Sequence, residues 1–236
     1  MEWRDEGVLL SARPHGETSV IAEVFTAAHG RHAGVVRGGA SRRQAPHLQA
    51  GAQVAVTWRA RLEDQLGSLT LEPLRARAGV LADAGRLAAL TSACALLRLA
   101  LPERDPHASL WRATVAMFDT LEMGQGPWVG HYLRWELGLL DDIGFGLDLS
   151  TCAVTGAAEG LAYVSPRSGR AVSVAGAGDW ADRLLPLPGA LRGGEAGVVQ
   201  GLAVTGHFLT RALARPVDGP GLPEARLRLA ALLARG

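Results

Sequence analysis

Between Glu23 and Glu63 the chain carries no acidic residue, yet this interval holds Arg31, Arg37, Arg42, Arg43, Arg59 and Arg61, with His29, His32 and His47. A guanidinium is a planar fork that stays charged and pairs bidentately with phosphate. Arg37, Gly38, Gly39, Ser41, Arg42 and Arg43 add small residues to the cations. Glycines let a phosphate approach backbone N–H groups, and the arginines pair with it. The run reads as a flexible phosphate-binding loop, and the six arginines are the expected nucleic-acid contacts. The competing reading is a solvated surface whose cations only maintain solubility. Platforms for stacking bases are scarce here, with only Trp3, Phe25 and Trp58 in the first 75 residues. Trp58 shares strand parity with Val54 and Val56, which directs it to a core, and Phe25 lies in an apolar run. Binding is therefore expected to run mainly through phosphates rather than stacking.

Other chemistries find little support. All 24 basic residues are arginine, so Schiff-base, pyridoxal, Walker-A and lysine-adenylating mechanisms are excluded. His29 and His32 have an H-x2-H spacing but no neighbouring Cys, Asp or Glu to complete a metal set, and read as a solvated pair. Asp141 and Asp142 are adjacent on a helix and point in different directions. There is no G-x-S-x-G, and Gly144 and Gly146 do not continue into G-x-G-x-x-G. Cys94 reads as a small core residue and His207 as a residue at a helix surface or core edge. Two cysteines make neither a disulfide framework nor a four-cysteine metal site. No catalytic residue, cofactor or metal is expected, and the chain is not expected to be an enzyme.

The elements that would carry these residues change character near residue 78. Before it, runs suited to strands fall at 7–13, 19–26, 31–37, 53–62 and 68–75, separated by turn residues. On the strand at 53–62, Arg59 and Arg61 share the outward parity. Five strands in this span suit a small closed barrel, the OB-fold leading and an SH3-like barrel competing. After it the periods are helical: 80–101 stopped by Pro102, a helix from an Asp105–Pro106 start to about 123, another from Pro127 to near Gly144, and two more at 196–214 and 224–235. Residues 145–178 lose helical order. The fold class is α+β, with a barrel domain at 1–78 and a mainly helical domain at 79–236. Charge is uneven: ten Arg against eight acids in 1–80, five against nine in 81–150, and nine against six in 151–236, for a net +1. The charged opening has no apolar run behind it, and the apolar stretch 87–101 is broken by Thr91, Ser92 and Arg98. Both features favour a soluble protein of a reducing compartment, the cytoplasm.

Particular strings then resemble the RecO family of bacterial recombination mediators, most closely its alphaproteobacterial branch. They are Trp3–Arg4–Asp5–Glu6–Gly7–Val8–Leu9, Gly30–Arg31–His32–Ala33–Gly34–Val35–Val36–Arg37–Gly38–Gly39, Trp58–Arg59–Ala60–Arg61–Leu62 and Leu101–Pro102–Glu103–Arg104. Trp135–Glu136–Leu137–Gly138–Leu139–Leu140 follows, then Gly144–Phe145–Gly146–Leu147–Asp148–Leu149, Cys152–Ala153–Val154–Thr155–Gly156 and Tyr163–Val164–Ser165–Pro166–Arg167–Ser168–Gly169–Arg170. The ordered set, covering nearly the whole chain, carries the resemblance. It implies an N-terminal OB-fold, a helical domain and a zinc-ribbon-like insertion at 145–178. It further implies binding of single- and double-stranded DNA, annealing of complementary strands, and partnership with RecR in helping RecA displace single-stranded DNA-binding protein, at the nucleoid. The acidic tail of that coating protein is expected on the helical domain, with Arg211 and Arg215, four apart, as candidate contacts beside Arg226 and Arg228. Relatives that hold zinc have two C-x2-C pairs; here the first reads Cys152-x2-Thr155, and Ala171–Val172–Ser173 stands near the second. The insertion is thus expected to be a degenerate, metal-free ribbon. A different OB-fold module, RNA-binding or ribosome-associated, is the alternative, and a hydrolase with scattered residues a remote third.

Overall fold

The computed structural model describes residues 1–62, 64–124, 126–214 and 221–235. Its first strand, β1 (Glu2–His15), is longer than the sequence reading, which opened it at residue 7. Glu2, Arg4 and Glu6 are exposed while Trp3 and Asp5 are half-buried, so a two-residue alternation runs through the charged opening. β2 (Ser19–Thr26), β3 (Gly30–Val36), β4 (Gln53–Arg59) and β5 (Ser68–Arg75) follow. They close a barrel in the order β1-β2-β3-β5-β4. β1 closes it by pairing twice: Glu2 to Val8 against β4, and Gly7 to His15 against β2. A bulge between Leu9 and Ser11 bends the strand between the two sheets it joins. β3 and β5 meet only at Val35 and Ser68, in parallel. This five-strand order is that of the leading candidate fold. The interior holds Leu9, Val24, Val54, Val56, Trp58 and Leu69, all buried. Each such side chain contributes roughly 1.5–3 kcal/mol on leaving water.

α1 (Ala84–Ala100) starts at an N-cap, Asp83, whose carboxylate accepts from the Arg86 N–H at 2.8 Å. The sequence reading began this helix at residue 80; residues there form a 3-10 turn, Ala78–Ala82. α2 (Ala108–Met123) begins after His107, two residues later than the Asp105–Pro106 start expected from the sequence. Its approach segment is engaged elsewhere: Glu103 bridges Arg31 of β3, and the Arg104 N–H donates to the Arg31 carbonyl at 2.8 Å. This close approach requires Gly30, which sits at φ +61° and whose added Cβ would lie 1.9 Å from the Asp105 carbonyl oxygen. Arg77, 1% exposed, pairs with Asp119 at 2.6 Å and donates to Gln53 at 3.0 Å, tying β4 to α2. Its removal would leave buried polar groups uncompensated at roughly 3–5 kcal/mol.

The chain divides into two compact units, Met1–Gly126 with Glu224–Arg226, and Pro127–Pro223 with Leu227–Gly236. α1 and α2 therefore belong with the barrel. The second unit is built on α3 (Trp128–Asp142) and α5 (Val198–Leu213), which pack together. Gly201 leaves room for Leu133, and buried Glu136 accepts from Thr205 Oγ1 at 2.5 Å. Between these helices lie β6 (Leu161–Val164), β7 (Ala171–Ser173), a short α4 (Val174–Ala177) and β8 (Leu185–Pro186), with sheet order β7-β6-β8. α6 (Glu224–Leu233) ends the described chain. No helix among the described residues is long and apolar enough to cross a membrane.

Candidate nucleic-acid interface

β3 leaves the barrel at Val36, and the next residues present the cations. Gly38 takes φ +69° in open space, while Gly39 packs tightly against Val20, where a Cβ would meet a methyl at 2.7 Å. Hydrogen bonds then knit the loop: Ala40 N–H to the Thr18 carbonyl at 3.1 Å, and the Gln44 and Ala45 N–H groups to the Ser41 carbonyl at 3.1 and 2.9 Å. A 3-10 turn at Ala45–His47 follows, and Leu48 is buried in the barrel core. Where the sequence suggested a flexible loop, the structure has a bonded knuckle anchored by Leu48. Arg37, Arg42 and Arg43 are exposed, and none forms an ion pair among the described residues. Beside Arg37 a groove of about 260 Å³ runs along the β3–β5 seam, lined by Val35, Gln44, Ser68 and Thr70.

The other expected contacts divide. Arg61 is exposed and also without an ion pair among the described residues, but it lies beyond β4, which ends at Arg59 rather than continuing to Leu62. Beyond it, Leu66 lies over Trp58, whose Nε1 donates to the Leu66 carbonyl at 3.0 Å. Arg59 and Arg61 are thus not paired on one strand face. Arg59 forms a fork on Glu2, at 2.8 and 3.1 Å, and this contact holds the Glu2 carboxyl below its usual value. A phosphate at Arg59 would compete with Glu2 for this fork. Arg31 is committed to the fold: its side chain, 16% exposed, pairs with Glu23 at 3.0 Å and Glu103 at 3.4 Å and donates to the Leu101 carbonyl at 3.0 Å. The structure gathers Arg37, Arg42 and Arg43 on one knuckle and sets Arg31 apart.

His29 and His32 are not a solvated pair. His29 stacks on Trp3 with centroids 4.0 Å apart and planes 7° apart, and its Nδ1 lies 3.4 Å from Asp5. His32 is 4% exposed and stands edge-on to Trp3 and Trp58, at 5.1 and 4.8 Å. Burial, with Arg104 and His29 nearby, holds its ring down to about 4, so it is neutral at pH 7. Neither of its ring nitrogens has a hydrogen-bond partner among the described residues. Such buried unpaired groups cost about 1–3 kcal/mol each. Trp58 is a core residue, as its strand parity indicates, and Phe25 is buried, as its apolar run indicates. The signal for this cluster was available in the alternation that places Trp3 opposite Trp58 in register, but the histidines on the neighbouring strand needed the closed barrel to join it.

In the second unit, Arg211 donates to the Pro166 and Arg167 carbonyls, and His207 Nε2 lies 3.1 Å from the same Pro166 carbonyl. These contacts hold the 165–169 turn against α5. Arg215 lies outside the described residues. Arg226 is 1% exposed and does not solvate an outer helix face. The Cys152 sulfur accepts from the Ser173 hydroxyl at 3.3 Å and from the Ser173 and Thr155 N–H groups at 3.2 and 3.4 Å. These bonds, the Ser173 hydroxyl foremost, pull its thiol down to about 6. Its lone pairs face donors rather than further metal ligands, and no group of three His, Cys, Asp or Glu residues among those described could hold a metal ion. One thiol does not fit a tetrahedral structural zinc.

Comparison with known proteins agrees along the whole chain. The family model "Recombination protein O N terminal" matches residues 1–77, and "Recombination protein O C terminal" matches residues 81–218. A DNA repair protein RecO of Cereibacter sphaeroides (strain ATCC 17025 / ATH 2.4.3) is 61% identical over 100% of both chains. Those of Dinoroseobacter shibae and Ruegeria sp. (strain TM1040) are 57% and 54% identical over 100% of this chain and 99% of theirs. The closed barrel, the helices after it and these full-length matches place the chain in the RecO family.

Proposed function

We propose that the chain is a recombination mediator of DNA repair that binds single- and double-stranded DNA through phosphates and anneals complementary strands without covalent chemistry. One observation carries the reading: Arg37, Arg42 and Arg43 share an anchored, exposed knuckle and have no protein counter-charge among the described residues. Such cations release the condensed counterions of a nucleic acid and bind it without regard to sequence. Two strands held by sequence-independent contacts keep their base edges free to pair. Neutralising the mutual repulsion of the strands in this way favours their pairing. In the cell the partners are RecR, the coating single-stranded DNA-binding protein and, indirectly, RecA, and the work is done in the cytoplasm at the nucleoid. Family membership supports this assembly over a ribosomal or RNA-binding role. A tail site on Arg211 and Arg215 is not part of the proposal, because Arg215 lies outside the described residues. The test is pairing of complementary strands coated with the cognate single-strand binder. The chain should accelerate pairing; coating that persists with no faster pairing would reduce it to a simple binder.

A further inference from the structure

At the barrel end where Glu2 faces Arg59, the interior opens into a cavity of about 300 Å³ lined by Met1, Trp3, His29, His32, Trp58 and Arg104. Trp3 and Trp58 pair across β1 and β4 and lie nearly parallel, 18° apart with centroids 6.0 Å apart. His32 stands edge-on to both. A neutral imidazole carries one donor and one acceptor nitrogen. An N–H aimed at an indole face gains a weak contact, but the acceptor nitrogen has no counterpart there. Both nitrogens are buried with no hydrogen-bond partner among the described residues, and His32 lines the cavity. The site thus offers apolar aromatic walls and an unused donor–acceptor pair.

The electrostatics narrow the occupant. His32 brings no positive charge at neutral pH, so the aromatic floor of the cavity suits a neutral group. Arg104, with Nη2 on the Gln65 carbonyl, and the Met1 ammonium, on the Ala60 carbonyl, also line the cavity and are cationic. A neutral flat heterocycle with donors and acceptors on its edge, carried on an anionic chain, matches both layers. We propose that this cavity takes one unstacked nucleobase of a single strand, with His32 bonding its edge and Arg104 and the Met1 ammonium meeting the flanking phosphates. The proposal rests on the DNA-binding reading above and adds discrimination to it. Phosphate contacts alone do not separate single strands from duplexes, whereas a base must be unstacked to enter a pocket. Pairing with a complementary strand would withdraw the base and release the strand at this point.

The test uses the full chain with two probes of equal length and charge, an oligo-dT strand and an abasic deoxyribose-phosphate strand. Binding is followed by anisotropy and the His32 ring nitrogens by NMR. Both strands should bind, dT about tenfold tighter, and dT alone should shift the His32 nitrogens. His32→Phe should bring dT affinity down to that of the abasic strand. Equal affinities with unmoved His32 signals would overturn the pocket and leave phosphate binding standing. Binding of neither strand would overturn the DNA reading and this inference with it. The measurement on the unmutated chain decides the matter even where His32→Phe fails to fold.

Discussion

At the scale of single residues, arginines that look equivalent in the sequence do opposite work. Arg42 and Arg43 are exposed and unopposed, while Arg31 is held by Glu23, Glu103 and a carbonyl. Arg42→Ala with Arg43→Ala should lower the slope of log affinity against log salt by roughly 1.4–1.8 units, with little change in thermal midpoint. Arg31→Ala should instead cost roughly 2 kcal/mol of stability in denaturant unfolding. An unchanged salt slope in the double variant would place the DNA path elsewhere. His32 makes a second prediction. Its folded value lies below the free imidazole value, so the unfolded chain binds more protons between pH 6.5 and about 4. The stability that His32 supports is complete above that window and is lost as pH falls through it. Glu2, His29 and Arg104 line the same cavity, and Asp5 faces His29. His32→Gln should flatten the acid-side fall of unfolding free energy; an identical pH profile would contradict the buried neutral ring.

At the scale of elements, the strands were legible because alternation and turn residues are local. The observed ends differ where tertiary contacts intervene. β4 stops at Arg59, beyond which Leu66 lies over Trp58, and α2 starts late because residues 101–104 lie along β3. No periodicity encodes either contact. Gly30, legible in the sequence as a turn residue and as part of a family likeness, has a further physical reason in the Asp105 backbone that presses on it. Gly30→Ala should lose about 2 kcal/mol or more and lower the melting midpoint, since both its φ and its space forbid a Cβ. In the second unit, the β6–β7 region is tied to Cys152 by hydrogen bonds from Ser173 and Thr155. Purified protein should contain much less than one equivalent of zinc, and a chelator should leave its melting midpoint in place. A full equivalent with a chelator-sensitive fold would overturn the ligand argument.

At the scale of the whole molecule, near-neutrality conceals a division of charge that the sequence blocks already suggested. The first unit pairs its own surplus: Arg75 and Arg77 take Asp119, and Arg98 joins Arg31 on Glu23. Arg37, Arg42, Arg43 and Arg61 are among the cations left without an ion pair among the described residues, with Arg13 and Arg112 elsewhere in the unit, so the local basic field survives although the chain totals +1. Composition indicated that such a field existed, but only the closed barrel separates paired from unpaired arginines. The aromatic–imidazole cavity was hidden for the same reason, since its walls come from three strands and a segment near residue 104. The most direct test of the account is the annealing rate of complementary strands with the wild type and with Arg37→Ala, Arg42→Ala and Arg43→Ala combined, thermal midpoints being compared in parallel. The account predicts that the triple variant stays folded and loses most of the acceleration, and that lower salt restores part of it. A folded triple variant that anneals at the wild-type rate would contradict the assignment of function to this knuckle.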